Sequence, residues 1–317
     1  MTQASTRPLD TELAELRRPL LAYCYRMLGS PHEAEDAVQE TMVRAWRGMA
    51  GLTDPAGLRP WAYKIATNVC VDAVRDRRGR ALPMDLVASG GGRGAVLPEA
   101  TWVRPIPSRL LDGDDPLAHA VSRESVRLAF VAALQHLPPR QRAVLVLRDV
   151  LCWRAAEVAA LLETTVDAVN SMVRRARAVL ARARRGDMAP EPVDDRLLER
   201  YVDAFQRFDV DRIVALLHRD VTVSMPPYAF WLRGRNAFRA WLVSDGRGCE
   251  HARLVRTSAN GGPAVALYGR GTDGSLVPAA LHVLEWRRDR VTALHAFLDP
   301  GLFPLFGLDE FSRAPRL

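Results

Sequence analysis

The sequence of 317 residues has little lysine, few cysteines and no long apolar run. Only Lys64 among its 44 basic residues is a lysine, and the other 43 are arginines. No two cysteines form a CxxC pair, which argues against a zinc or disulfide framework and favours a reduced protein. No stretch approaches the about 20 apolar residues that span a bilayer, and the first residues lack the apolar core of a signal peptide. We therefore expect a cytoplasmic protein. The four cysteines are Cys24, Cys70, Cys152 and Cys249.

The positive charge that the chain does carry is unevenly distributed. Residues 1–186 contain 27 basic and 20 acidic residues, whereas residues 187–317 contain 17 of each. A local basic surplus fits a polyanionic partner such as nucleic acid, although a membrane surface would also attract it. The length predicts two or three domains.

Hydrophobic spacing and loop composition divide the chain into five segments. Residues 9–80 predict three helices, with Ser30 as an N-cap and Pro31 at the first helical position. Residues 81–115 contain a glycine-rich run and several prolines, so they predict a flexible linker, within which the apolar segment Thr101–Pro107 resembles a docking segment. Residues 116–186 are helical again. The remaining segments are a short linker over 187–192 and an α+β domain over 193–317.

The second helical part contains a helix-turn-helix pattern. A helix over Ala155–Leu162, a three-residue turn and a helix from Val166 place small and apolar residues where the two helices cross. Glu163 occupies the turn position that favours glycine, at a cost of about 1 kcal/mol. Thr165 is the predicted N-cap of the second helix. An ordinary helical hairpin with a solvated basic face is the alternative. In the major groove, asparagine reads adenine and arginine reads guanine. The outward face consists of Thr165, Asp167, Asn170, Ser171, Arg174, Arg175 and Arg177.

Two blocks of this sequence resemble a known family. Residues 21–78 (LLAYCYRMLGS…EAEDAVQET…RPWAYKIATNVCVDAVRDRR) are similar to region 2 of the extracytoplasmic-function sigma factors of the sigma-70 family. Residues 136–184 (HLPPRQRAVLVLRDV…AAEVAALLETTVDAVNSMVRRARAVLARAR) are similar to region 4. The resemblance implies a protein that is not an enzyme, needs no cofactor, and directs core RNA polymerase to promoter DNA.

The resemblance also implies roles for individual residues. Asp36, Gln39 and Glu40 fall in the motif that binds the clamp helices of polymerase, and their spacing places them on one helix face. The loop 52–55 corresponds to the loop that captures a flipped base of the −10 element. The helix-turn-helix would bind the −35 element, and its flanking helices the polymerase flap. The helix that engages the −10 element carries Arg59, Trp61, Lys64, Asn68, Asp72 and Arg75, of which Trp61 is equally compatible with a core position.

The C-terminal part resembles the SnoaL-like cone fold, in which helices pack on a curved sheet that encloses a pocket. A subgroup of these sigma factors carries such a fused domain, and the resemblance then implies control in cis without a required anti-sigma partner. We expect a multidomain protein with two all-α domains followed by an α+β domain.

A hairpin with a four-residue loop over 287–290 would pair Trp286 with Val291, Leu284 with Ala293, and His282 with His295. Both histidines would then share the face of Trp286. The predicted pocket residues are Tyr228, Trp231, Trp241, His282, Trp286 and His295.

Three interpretations of this pocket remain open at this point: a filled core or docking module, a small-molecule sensor, and a catalytic cavity with Asp299 or Glu285 as a candidate base. A metal site is not expected, because two histidines lack a third ligand. Two other functions compete with sigma activity for the whole chain. One is a DNA-binding regulator whose pocket binds an effector, and the other is a cone-fold enzyme with an accessory DNA module.

Overall fold

The computed structural model describes residues 9–52, 54–75, 79–92, 94–111, 125–183 and 195–308. The chain forms two compact units. The first consists of Met1–Arg80 and Leu110–Arg185, and the second of Ala81–Arg109 and Gly186–Leu317. The short linker predicted over 187–192 lies outside the described residues.

Among its described residues, the first half of the helical unit has four α-helices where the sequence predicts three. Because Pro19 has no N–H to donate to the carbonyl of Glu15, the helical ladder is interrupted at Leu16. The predicted start of the third of these helices is confirmed: Pro31 is its first residue, and the Glu33 N–H donates to the Ser30 hydroxyl at 3.5 Å. These helices are α1 (Leu9–Glu15), α2 (Arg17–Leu28), α3 (Pro31–Gly48) and α4 (Leu58–Ala73).

The second half of this unit contains the predicted helix-turn-helix. Glu163 has a φ of 52°, so the left-handed turn position is confirmed. The next helix is capped as expected, because the Ala168 N–H donates to the Thr165 hydroxyl at 3.1 Å. Its helices are α5 (Leu128–Gln135), α6 (Pro139–Leu145), which continues as a π-helical segment (Val146–Val150), α7 (Ala155–Leu161) and α8 (Val166–Ala183).

Buried arginines join the two halves of the helical unit. Arg26 on α2 donates to the Ser125 hydroxyl at 2.7 Å, and Arg142 on α6 bonds both the Met27 carbonyl and the Gln135 side chain. Burial lowers the pKa of Arg26 and of Arg142 to about 10, which leaves both charged at neutral pH. Since an unpaired buried guanidinium would be costly, these bonds fix α2 against the second half.

The second unit has the predicted α+β architecture. In the described part of this unit, three helices pack on one face of a six-stranded sheet. Numbered along the chain, the strands lie in the order 2-1-6-5-4-3, and only strands 1 and 6 pair in parallel. Tyr201, Phe205, Phe238 and Trp286 contribute large side chains to the core between the layers. The elements are α9 (Asp195–Gln206), α10 (Val210–Leu216), β1 (Leu217–Ser224), β2 (Trp231–Arg233), α11 (Arg235–Val243), β3 (Arg253–Ala259), β4 (Gly262–Arg270), β5 (Leu276–Arg287) and β6 (Arg290–Phe297).

The register predicted for the β5–β6 hairpin is wrong beyond its first pair. Trp286 pairs with Val291 as expected, but Arg287 and Arg290 also pair, so the loop has two residues and not four. A register shift between Glu285 and Trp286 follows. A one-residue shift reverses the face on which each later side chain lies. The remaining pairs are therefore Leu284 with Leu294, Val283 with His295, and His282 with Ala296.

The predicted flexible linker is also corrected. Residues 81–109 belong to the second compact unit, and they include an α-helical turn at Pro83–Leu86. Trp102, Val103 and Ile106 have at most 3% of their surface exposed. The apolar spacing of Thr101–Pro107 outweighs the glycine and proline content that suggested a linker, because burying these side chains stabilises a packed conformation. Residues 112–115 lie outside the described part of the chain.

Candidate functional site

The predicted polymerase-binding residues share the exposed face of α3. Asp36, Gln39 and Glu40 are all exposed, and the same face continues to two large apolar side chains. Trp46 is 66% exposed and Val43 is 42% exposed. Exposed apolar side chains beside polar ones are typical of a protein interface. The sequence prediction missed these two residues. The signal that could have found them is helical spacing, because Val43 lies three residues after Glu40 and Trp46 lies three residues after Val43.

Several of the predicted −10 residues on α4 have partners in the second half of the same unit. The Lys64 ammonium donates to the Glu163 carboxylate at 2.6 Å, and this bond lowers the pKa of Glu163. The Arg59 guanidinium lies 5.9 Å from the ring centroids of both Tyr63 and Trp153. Tyr63 and Trp153 contact each other with ring centroids 5.1 Å apart. The face of α4 that was predicted to bind the −10 element is therefore partly covered by the helix-turn-helix half.

The other predicted α4 residues differ in their exposure. Asn68, Asp72 and Arg75 are exposed, and Arg75 pairs with Asp72 at 2.5 Å. Trp61 is half-buried and packs in the apolar cluster of α1, α3 and α4, which supports the core alternative for this residue. Thr53 in the predicted base-capturing loop lies outside the described residues.

The outward face of α8 carries most of the predicted −35 residues in exposed positions. Asp167, Asn170, Arg174 and Arg175 are exposed, whereas Ser171 is half-buried. The hydroxyl of Thr165 is used as the helix cap. Arg177 is exposed as well, and it donates two hydrogen bonds to Asp149, at 2.8 and 2.9 Å, which raise the pKa of Arg177.

Within the second unit, residues 81–109 are attached to the C-terminal domain by a buried arginine. The side chain of Arg104 is 6% exposed and pairs with Glu99 on its own segment and with Asp299 just beyond β6. Nearby, the Ile106 N–H donates to the Asn260 side-chain oxygen at 3.1 Å, and the Asn260 N–H donates to the Ile106 carbonyl at 2.9 Å. These contacts hold the segment that separates the two halves of the helical unit along the chain.

The upstream part of the same segment follows the edge of the sheet. The Trp231 indole on edge strand β2 donates to the Val87 carbonyl at 2.8 Å, and the Gly90 N–H donates to the Trp231 carbonyl at 3.1 Å. The Leu97 N–H donates to the Pro227 carbonyl at 3.0 Å. An otherwise unpaired sheet edge is thus covered by this segment of the chain.

A cavity of about 150 Å³ lies between the helices and the sheet of the C-terminal domain. Phe205, Phe238, Trp241 and His282 are among its lining residues. The Nδ1 atom of His282 is 3.0 Å from the Tyr201 hydroxyl, and burial lowers the pKa of this imidazole to about 4. His282 is therefore neutral at physiological pH, and its ring is fixed by Tyr201.

The predicted pocket residues do not all meet at this cavity. Only Trp241 and His282 line it. Trp286 is buried next to it with its ring centroid 6.4 Å from that of Tyr201, and Tyr228 is half-buried at the edge of the core. Trp231 contacts the segment along the sheet edge. His295 lies on the opposite face of the sheet, where its Nδ1 atom is 2.8 Å from the Ser224 hydroxyl, so the expected pair of imidazoles is not formed.

Three family models match the chain. They are Sigma-70 region 2 over residues 13–80, Sigma-70 region 4 over 127–180 and a SnoaL-like domain over 198–297. The chain is 46% identical over 304 residues to the extracytoplasmic-function RNA polymerase sigma factor SigG of Mycobacterium tuberculosis, a match that covers 93% of this chain and 82% of that protein. The chain belongs to the extracytoplasmic-function RNA polymerase sigma factors.

A solved structure has the same architecture as this sigma factor. The crystal structure of the extracytoplasmic-function sigma factor SigJ of M. tuberculosis matches with a TM-score of 0.65 at 25% identity, over 94% of this chain and 99% of that chain. The SigJ sequence itself is 33% identical over 213 residues, which is 67% of this chain and 63% of SigJ. The three-part organisation is therefore shared along nearly the whole chain.

The described part of this sigma factor contains neither a membrane-spanning helix nor a metal cluster. No described helix is both long and apolar enough to cross a bilayer. Among the described residues, no three His, Cys, Asp or Glu side chains are grouped so that they could hold a metal ion.

The depressed pKa of His282 predicts a pH-dependent stability for the C-terminal domain. The unfolded imidazole takes up a proton near pH 6.5, whereas the folded one does so only near pH 4. The folded state is therefore favoured above about pH 6.5 and loses stability as the pH falls toward about 4. We expect the contribution of His282 to the free energy of unfolding, measured by chemical denaturation, to be about 2–3 kcal/mol lower at about pH 4.5 than at about pH 7. In the His282→Phe variant, this part of the pH dependence should disappear. An unchanged slope would assign the effect to other groups.

Proposed function

We propose that the SnoaL-like domain modulates this sigma factor in cis by holding residues 81–109, the segment between its two promoter-binding regions. The observation that carries the proposal is the attachment of this segment within the second unit, through buried Arg104 and the Ile106–Asn260 hydrogen bonds. A linker that is packed against a folded domain has less reach than a free one. The domain can thereby control how far the two regions separate, and this arrangement requires no anti-sigma partner.

Sigma activity itself follows from the family: the protein binds core RNA polymerase and directs promoter-specific initiation, while polymerase performs the phosphoryl chemistry. We propose the cytoplasm as its site of action.

For the individual surfaces, we propose that the α3 face with Asp36, Gln39 and Glu40 binds the polymerase clamp helices. The exposed face of α8 binds the −35 element and its flanking helices bind the flap. Helix α4 binds the −10 element and helps to melt it, through Arg59, Lys64, Asn68, Asp72 and Arg75.

The helical unit must open for both elements to be bound together. The −10 and −35 positions are about 25 base pairs apart, or ~85 Å at 3.4 Å per base pair. In the structure, however, Lys64 on α4 contacts Glu163, which lies three residues before the start of α8. The two DNA-binding faces are thus held together in this arrangement. We propose that it is a closed form, and that binding to polymerase separates the two halves while the linker is released.

We further propose that the cavity beside His282 takes a small molecule and that its occupancy adjusts this control. A concave, largely apolar space with one fixed polar group is the usual form of a ligand site. The catalytic alternative is not supported, because the two predicted histidines lie on opposite faces of the sheet and His282 is already hydrogen bonded to Tyr201.

Replacement of Trp46 tests the proposed polymerase surface. Trp46→Ala removes the largest exposed apolar side chain of α3, and tryptophan anchors commonly contribute 2 kcal/mol or more to an interface. We expect binding to core RNA polymerase to be weaker by about 30-fold or more, measured by fluorescence anisotropy of the labelled full chain. Val277→Ala is the matched control, because Val277 is also an exposed apolar residue (46%) but lies in the C-terminal domain. Equal affinities of wild type and Trp46→Ala would contradict the assignment of this face.

A further inference from the structure

The cavity of the C-terminal domain is small for a ligand site, and this limits what it can hold. Its volume of about 150 Å³ is below the roughly 300–1,000 Å³ of pockets for drug-sized molecules. An engineered cavity of about 150 Å³ in another protein is known to accommodate benzene. A single six-membered ring therefore fits this space, whereas two fused rings exceed it.

The lining of the cavity selects for an aromatic compound. Phe238 and Trp241 on α11 stack with ring centroids 5.7 Å apart and an interplanar angle of 9°, and Phe205 on α9 adds a further aromatic ring. Aromatic side chains favour aromatic partners in stacked or edge-on geometries. The carboxylate in the lining belongs to Asp245, which is exposed. A negatively charged ligand would be disfavoured near this carboxylate.

One buried polar group is available to orient a ligand. His282 lines the cavity, and its Nδ1 atom is paired with Tyr201 at 3.0 Å. Among the described residues, the structure provides no hydrogen-bond partner for its Nε2 atom. A neutral imidazole can donate or accept one hydrogen bond at this second nitrogen, depending on its tautomer. A hydroxyl group satisfies either requirement, because it can both donate and accept.

We infer that the cavity binds a neutral, single-ring aromatic compound with one hydroxyl group, of the phenol class, whose ring packs among Phe205, Phe238 and Trp241 and whose hydroxyl bonds the Nε2 atom of His282. This inference rests on the proposal that the cavity is a ligand site. It adds the chemical class of the ligand and the residue that distinguishes a phenol from a plain hydrocarbon.

Cys249 provides a reporter for the test, because it lines the cavity and is partly exposed. The full chain is treated with iodoacetamide with and without phenol, and modification is followed for each cysteine peptide by mass spectrometry. We expect millimolar phenol to slow alkylation of Cys249 several-fold. Exposed Cys152 in the same molecules is the internal control, and its rate should not change. Benzoate, which is anionic, and 2-naphthol, which has two rings, should give no protection.

Two variants separate binding at this site from other effects. Ala280→Leu places a larger side chain in the cavity lining and should abolish protection by phenol, whereas Ala240→Leu on the exposed face of α11 should retain it. His282→Phe should weaken protection by phenol while toluene still protects. If phenol fails to protect Cys249 in the wild-type chain, or if benzoate or naphthol protects equally, the inferred ligand class is wrong. If phenol protects but promoter-dependent transcription is unaffected, the ligand class stands and the proposed control by occupancy is refuted.

Discussion

Transcription from a promoter with an intact −35 element should fall by about 30-fold or more when Asn170 and Arg174 are both replaced by alanine. Both side chains are exposed on the outward face of α8, and each base-edge contact of this kind contributes about 1–3 kcal/mol of discrimination. The helix itself should persist, because alanine has the highest helix propensity and neither residue is part of the buried face. The measurement is run-off transcription with purified core polymerase, with circular dichroism to confirm the helix content.

Arg182→Ala is the matched control for this prediction. Arg182 is exposed in the last turn of the same helix, where an arginine suits phosphate and not base contacts. Loss of the Arg182 side chain should reduce transcription modestly and by the same factor on every promoter. The Asn170 and Arg174 effect, in contrast, should vanish when the −35 sequence is scrambled. A double variant that is as active as wild type on the intact promoter would exclude this face from recognition.

Replacement of Arg104 by alanine should release residues 81–109 from the C-terminal domain. The buried guanidinium makes charge-assisted bonds to Glu99 and Asp299, and such bonds contribute about 1.5–3 kcal/mol each. Because both carboxylates are partly exposed, water can replace the arginine on them, so we expect a loss of about 2–3 kcal/mol in the free energy of local opening. At tenfold per 1.4 kcal/mol, the amides of Val103, Ile106 and Asn260 should exchange about 30- to 100-fold faster.

Hydrogen exchange resolved by peptide measures this effect. The amides in the β5–β6 pair should keep their protection, since the sheet does not depend on Arg104. Arg256→Ala is the control, because Arg256 pairs with Glu199 in the same domain but is about half exposed, and such pairs contribute 1 kcal/mol or less. Equal exchange of residues 81–109 in wild type and Arg104→Ala would mean that this arginine does not hold the segment.

The sequence was sufficient to predict those features that depend on local rules. Ser30 and Thr165 cap their helices as their residue types require, and Glu163 occupies a left-handed turn position that the spacing of the two helices demands. The exposed face of α8 follows in the same way from helical periodicity. For these residues, local spacing and backbone preference point to the same structure as the tertiary fold.

The failures occurred where a distant contact outweighs local composition. His295 was assigned to the wrong face because a single register shift near Glu285 reverses the alternation, and no residue type in that strand signals the shift. Residues 81–109 suggested a linker by their glycines and prolines, yet Arg104 and Ile106 find partners more than 150 positions away in the chain. The pairing of Lys64 with Glu163 was not predicted either, because it depends on how the two helical halves pack.

Run-off transcription by the full-length protein, by the Arg104→Ala variant and by a chain that ends at residue 186 tests the central claim most directly. All three reactions contain purified core polymerase and the same promoter. We predict one promoter-dependent start site in all of them, with several-fold more transcript from the Arg104→Ala variant than from wild type, and a similarly large change in the truncated chain. Equal transcript from all three proteins would contradict control through the held segment, and the absence of promoter-dependent transcript from every one of them would contradict sigma activity itself.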